Sequence, residues 1–191
     1  AGASLERCDT GEAAHVKKLV ASVPSLRGMW HAAGVLADAV LPKQNPLGLG
    51  RAYAPKAHGA WSLHAAGATN AMDVVALFSS VVALLGGAGQ ANYAAANTCL
   101  DALASTRRAL GVTSASVQWG AWAEVGMAAR GAASERMVAM EAASGFGRVG
   151  LAQGLAALGV AVRHAGPAVL GVVPMVWSRF LGGGAAVPAF L

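Results

Sequence analysis

Charge is scarce in this sequence. Only 12% of its 191 residues are Asp, Glu, Lys or Arg, and nine acidic residues stand against fourteen basic ones, for a formal net charge of +5. With 55% hydrophobic residues, that balance excludes a disordered chain and points to a large buried fraction or to surfaces that a neighbour covers. The basic residues occur in ones and twos, as at Lys17-Lys18 and Arg107-Arg108, with no stripe interleaved by aromatics, so no nucleic-acid partner is expected. Cysteine is nearly absent: Cys8 and Cys99 form no C-x-x-C pair, which argues against a thiolate zinc site and a disulfide framework. The five histidines never take the i, i+4 spacing of a helical metal site, and no metal is expected. No basic, apolar leader opens the sequence. The charge-free stretch Val74 to Leu100 is broken by Ser79, Ser80, Gln90, Asn92, Asn97 and the glycine-rich run Gly86 to Gly89. It reads as strand, turn and helix rather than as a membrane span, so no membrane partner and a cytoplasmic location are expected.

What is present is an alternation. Arg27 to Ala33, Asp73 to Ser80, Thr113 to Trp119 and Val169 to Val173 are short apolar runs that read as buried strands. Helical patterns lie between them, over roughly Val16 to Val23, Leu49 to Ala66, Ala91 to Leu110 and Leu151 to Val162, the third stopped by Gly111. Strands alternating with helices predict an α/β fold, a Rossmann-like doubly wound parallel sheet covered on both faces. The length suits one domain: residues 1–181 are expected to form it, with 182–191 a linker or tail. Residues 123–147, rich in Ala and Met, are expected to act as a lid over substrate. A dinucleotide-binding sheet should begin with a strand, a glycine-rich turn and a helix. None stands at the start of this sequence, so the sheet is expected to be incomplete, its first strands and glycine turn lying upstream.

A G-x-G-x-x-G does occur at Gly145 to Gly150. The preceding residues favour a helix over a strand, and His164 to Val173 offers no acidic residue for a ribose. A phosphate site is not expected there.

The chemistry is concentrated elsewhere. Ser80 closes a predicted strand, at the edge where open α/β sheets place ligands, and Tyr93 and Asn97 share one face of the following helix. Each alone has a structural explanation: a helix cap for Ser80, a core aromatic for Tyr93, a solvated helix residue for Asn97. Together they are able to converge on one small substrate.

With the segments around them, these residues resemble the ketoreductase domains of polyketide synthases, in the short-chain dehydrogenase/reductase superfamily. The resemblance rests on His31-Ala32-Ala33-Gly34-Val35-Leu36, Ala54-Pro55-Lys56 with Gly59-Ala60-Trp61, Leu77-Phe78-Ser79-Ser80, Gly89 to Asn97 (GQANYAAAN) and Trp119-Gly120-Ala121-Trp122. It extends from about Asp9 to Ser178. Much of the superfamily reads Tyr-x-x-x-Lys, whereas Asn97 follows Tyr93 here and the lysine is Lys56, an exchange that marks the synthase ketoreductases.

The resemblance implies reduction of a carrier-bound β-ketoacyl thioester with NADPH, in polyketide or related fatty-acid synthesis. Tyr93 would donate the proton, Ser80 a hydrogen bond to the developing oxyanion, Lys56 a charge that eases loss of the phenolic proton, and Asn97 a proton relay. Asp9 would approach the adenine, with Ala32, Ala33 and Gly34 leaving the backbone open to the cofactor. Leu36-Ala37-Asp38 keeps the last Asp of a family Leu-Asp-Asp motif but loses the middle one, and Leu85 stands where some relatives have tryptophan; the resemblance leans to a B-type, D-hydroxy product. The implied partners are an acyl carrier protein bearing phosphopantetheine-linked substrate and neighbouring synthase domains. Two other readings stay open: a free-standing short-chain alcohol dehydrogenase, and a non-catalytic structural fragment of a megasynthase. The isolated chain is expected to bind NADPH poorly and to be inactive.

Overall fold

The computed structural model describes residues 3–23, 25–67, 72–126 and 145–182. Four strands, β1 (Gly28–His31), β2 (Val74–Ser80), β3 (Ser114–Trp119) and β4 (Val169–Val172), pair in that order and all in parallel. The register sets His31 against Leu77, Ser80 against Trp119 and Trp119 against Val172. The carboxyl ends of the strands therefore gather along one edge of the sheet.

Parallel neighbours need crossovers, and helices supply them. Helix α1 (Ala13–Ser22) precedes β1, while α2 (Pro46–Tyr53) and α3 (Gly59–Ala65) connect β1 to β2. Helices α4 (Val82–Leu85) and α5 (Ala91–Ala109) connect β2 to β3, α6 (Leu151–Ala161) connects β3 to β4, and α7 (Trp177–Gly182) follows. Helix α5 ends as the sequence predicts: Gly111 takes a positive φ of 78°, a conformation that glycine adopts without steric cost. None of the helices among the described residues is long and apolar enough to cross a membrane.

One predicted element differs. The helix expected over Leu49 to Ala66 is interrupted by a π-helical turn, Ala54–His58, in which the N–H of Gly59 bonds back to the carbonyl of Ala54. Pro55 explains the widening, because it has no N–H to donate and its ring crowds the carbonyl four residues earlier. Lys56 sits in this turn.

The two faces of the sheet are packed differently. On one, Val75 and Leu77 of β2 pack with Leu100 and Ala104 of α5, Ala60 of α3 and Met72. On the other, Ala115, Val117 and Trp119 of β3 pack with Val149 and Ala161, and with Ala157 and Leu158 of α6. Helices on both faces make this a Rossmann-like α/β sheet. Of the expected lid, residues 127–144 lie outside the described residues, as does the expected tail beyond Gly182.

Candidate active site

Strand β2 delivers Ser80 to the ligand edge of the sheet. Its Oγ accepts the N–H of Val82, the first residue of α4, at 3.3 Å, from one position before the N-cap, Val81, and the same hydroxyl lies beside the Tyr93 phenol. The chain then turns through Gly86 and Gly89, both at positive φ, and enters α5.

Tyr93 and Asn97 stand one turn apart on α5, as their spacing predicts. The Asn97 amide donates to the Tyr93 carbonyl at 2.8 Å, and Ser79 Oγ donates to the Asn97 carbonyl at 3.4 Å. Asn97 is fully buried and Tyr93 is 7% exposed. Asn97 Oδ1 has no hydrogen-bond partner among the described residues.

Lys56 reaches the same place from the π-helical turn. It is 3% exposed, its Nζ donates to the carbonyl of Phe78 at 2.8 Å, and it stands 5.2 Å from the centroid of the Tyr93 ring. That bond ties the cation to the strand that carries Ser80. Three residues from three elements thus surround one phenol.

Burial governs the titration of the group. It lowers the Lys56 ammonium from 10.5 to about 8, with the negative charge of Asp101 opposing the shift. Burial also raises the Tyr93 phenol above its ordinary 10, with Asn97 and Ser80 opposing and the Asp38 charge adding to the rise. Desolvation outweighs the two hydrogen bonds, so the phenol stands above its ordinary value rather than below it as the neighbouring Lys56 led one to expect. Burial lowers the His31 imidazole too, whose Nε2 lies 3.3 Å from the Lys56 carbonyl.

The residues suggested for cofactor contact lie at the same edge but make no single cluster. Asp9 is exposed before α1, its Oδ1 accepting the Gly11 N–H at 2.9 Å. Ala32 is exposed just past β1, and Ala33 and Gly34 are half-buried. Gly34 has a second reason to be small: a Cβ there would come within 2.9 Å of Lys56 Cε. Leu36 and Asp38 are exposed, and Leu85 is half-buried at the end of α4.

Sequence reasoning missed the layer beneath. Asp101, two turns along α5 from Tyr93 and 9% exposed, accepts hydrogen bonds from Ser116 Oγ at 2.6 Å and Gln118 Nε2 at 2.8 Å. Two signals pointed to it: the i+8 position on the Tyr93 stripe, and the alternation of polar and apolar residues in Ser114 to Trp119.

The glycine motif is a structural turn. Gly147 N–H donates to the Pro174 carbonyl, Phe146 bridges to Met175, and a Cβ on Gly145 would lie 2.9 Å from the Val176 carbonyl. Its backbone bonds to residues 174 and 176. A groove of about 450 Å³ between Leu41, Pro46 and Leu49 and the α5 residues Ala91 and Ala95 also stands apart from the chemistry. At about 100° per residue, positions 91 and 95 point away from 93 and 97.

Known proteins resemble this chain in sequence and fold. The KR domain family model matches residues 1–124. A polyketide synthase of Streptomyces halstedii is 41% identical over 98% of this chain, which spans 3% of that protein. The ketoreductase from the first module of phoslactomycin biosynthesis in Streptomyces sp. HK803 superposes with a TM-score of 0.86 at 32% identity, over 99% of this chain and 44% of that one. The first ketoreductase of the tylosin polyketide synthase gives 0.78 at 37% identity, over 92% of this chain and 37% of that one. The chain thus spans under half of these solved ketoreductases and a small part of the synthase. A Tyr/Ser/Lys/Asn cluster at the carboxyl edge of a parallel sheet, with these likenesses, places the chain among the ketoreductase domains of polyketide synthases, in the short-chain dehydrogenase/reductase superfamily.

Proposed function

We propose that this chain carries the catalytic part of an NADPH-dependent reductase that converts a β-ketoacyl thioester, held on an acyl carrier protein, to the β-hydroxyacyl thioester. The observation that carries this reading is the convergence on Tyr93: Lys56 Nζ 5.2 Å from its ring, with the Ser80 hydroxyl and Asn97 side chain beside its phenol.

A ketone that receives hydride at carbon develops negative charge on oxygen, and the site must meet that charge as it forms. Tyr93 holds a transferable proton, and Ser80 holds a second donor. Lys56, cationic below about pH 8, stabilises the phenolate left when Tyr93 gives up its proton. The buried, unpartnered Oδ1 of Asn97 suits a role in returning a proton to Tyr93.

NADPH, when bound, supplies the hydride. The small side chains of Ala32, Ala33 and Gly34 just past β1 suit an approach of such a cofactor's ribose to the backbone, and Asp9 is exposed to meet its adenine. In this reading the chain works in the cytoplasm beside further domains of its synthase. Leu36, Asp38 and Leu85 favour the D-hydroxy product.

The test uses the full polypeptide that carries this chain, with a β-ketoacyl pantetheine thioester, and follows NADPH oxidation. Tyr93→Phe is expected to lower kcat by about 10² to 10⁴, the range for loss of a positioned general acid. A Tyr93→Phe protein that keeps the wild-type rate sinks the reading.

A further inference from the structure

Two buried groups of opposite charge stand on the α5 side of the sheet. Lys56 is 3% exposed and Asp101 9%, and the strand register sets them at one level. Lys56 Nζ donates to the carbonyl of Phe78 on β2 at 2.8 Å, and Phe78 pairs with Val117 of β3. On either side of Val117 lie Ser116 and Gln118, whose side chains donate to Asp101 at 2.6 and 2.8 Å. Cation and carboxylate are thus fastened to adjacent strands across a single pair of residues.

The way Asp101 is held preserves its charge. Each of its oxygens accepts a hydrogen bond from a neutral side chain, which fixes the carboxylate in place without cancelling it. A charge removed from water acts further than an exposed one, because little solvent screens it. Burial disfavours the Lys56 ammonium, and the Asp101 charge opposes that loss. Because α5 also carries Tyr93, one helix brings both the phenol and the charge that bears on its neighbour.

The other groups around Lys56 do not supply this charge. His31 of β1, whose Nε2 lies 3.3 Å from the Lys56 carbonyl, is lowered from 6.5 by burial and is neutral above pH 7. Tyr93 of α5 is raised above 10 and keeps its proton through the range in which Lys56 titrates. Asp38, on the segment after β1, bears on Tyr93. Strand β2 meets Lys56 with the Phe78 carbonyl, and the chain before α1 meets its turn with Thr10, whose hydroxyl donates to the Pro55 carbonyl at 3.3 Å. Asp9 and His58 are exposed, and Arg107, a further buried cation of α5, is bonded to His64 Nδ1 at 3.1 Å.

We propose that Asp101 is a positioning residue for the reaction, the buried counter-charge that holds Lys56 in its charged form beside Tyr93. This rests on the reductase reading above. Asp101 acts through Lys56 and touches neither substrate nor cofactor.

The experiment uses the full polypeptide with a β-ketoacyl pantetheine thioester and reads kcat for NADPH oxidation between pH 6.5 and 10, with urea unfolding as the measure of folding. Asp101→Asn removes the charge and, once the Gln118 amide turns over, keeps both hydrogen bonds. Asp101→Ser removes the charge with a smaller side chain and guards against a first variant that fails to fold. Ser116→Ala is the reverse case, since it loses a hydrogen bond and keeps the charge. In wild type the alkaline fall is expected to begin at about pH 8. In the two neutral variants it should begin about one pH unit lower, so that kcat is about tenfold below wild type at pH 9 and within about twofold of it at pH 6.5. Ser116→Ala should lose stability and leave the profile where it was. If wild type reduces the thioester and the neutral variants fold but lose rate equally at every pH, or Ser116→Ala moves the profile as far as they do, Asp101 is merely structural and the inference is overturned alone. If wild type does not reduce the thioester, the reductase reading fails and this inference falls with it.

Discussion

Strand β3 presents two different chemistries to its two sides. Ser116 and Gln118 turn toward α5 and bond to Asp101, while Ala115, Val117 and Trp119 between them turn toward α6 into a wholly apolar cluster. All six residues of the strand are buried. Burial alone therefore does not decide what a strand residue is: the α6 side is held by apolar packing, and the α5 side trades some of that packing for hydrogen bonds that fix the helix carrying Tyr93. Tyr93 and Asn97 are carried on the side where direction matters, because hydrogen bonds are directional and apolar contact is not.

The sharpest test of this contrast is titration. Lys56 is a buried cation of the α5 side, and the α6-facing residues of β3 include no titratable group. Catalysis that needs charged Lys56 should fall about tenfold per pH unit above about pH 8, read from kcat between pH 7 and 10. Stability should move the other way. Because the folded pKa lies below the unfolded 10.5, the unfolded chain holds more protons between these values, and the stability contribution of Lys56 rises with pH across that window. A rate and a stability that fall together would show that Lys56 is not the group responsible.

Substitutions should follow in order of size. Asp101→Leu strips two buried donors of their acceptor and is expected to cost about 3 kcal/mol in urea unfolding. Val117→Thr keeps the shape but buries a hydroxyl on the side without partners, at about 2 kcal/mol. Should that variant match wild type, the two sides are not chemically distinct. Ser116→Ala removes one of the two bonds to Asp101 and should cost about 1 kcal/mol. Arg27→Ala breaks the Arg27–Asp73 ion pair, which is exposed at 80% and 60%, and should change stability by ~0.5 kcal/mol or less.

The sequence showed the α6 side and the Tyr93–Asn97 spacing better than the layer between. Strands announced themselves as apolar runs, and Tyr93 and Asn97 as a helical spacing, because both periodicities are local. Lys56 was found by resemblance alone, since no spacing within one element connects it to Tyr93. The π-helical turn was hidden because a proline inside a helical pattern signals a break without saying whether the helix stops or widens. Asp101 was hidden because its partners lie on another element, and an acidic residue on a long helix reads as solvated until the strand beside it is known.

The widened turn at Ala54–His58 separates two kinds of precision. The Tyr93–Asn97 relation is written into one helix and persists as long as that helix does. The Lys56–Tyr93 distance belongs to the assembly of a turn, a strand and a helix, and lasts only while all three stay docked. Warming or mild denaturant should therefore silence this site while α5 is still intact, so that the loss of function reports on the seating of a single proline-bent turn.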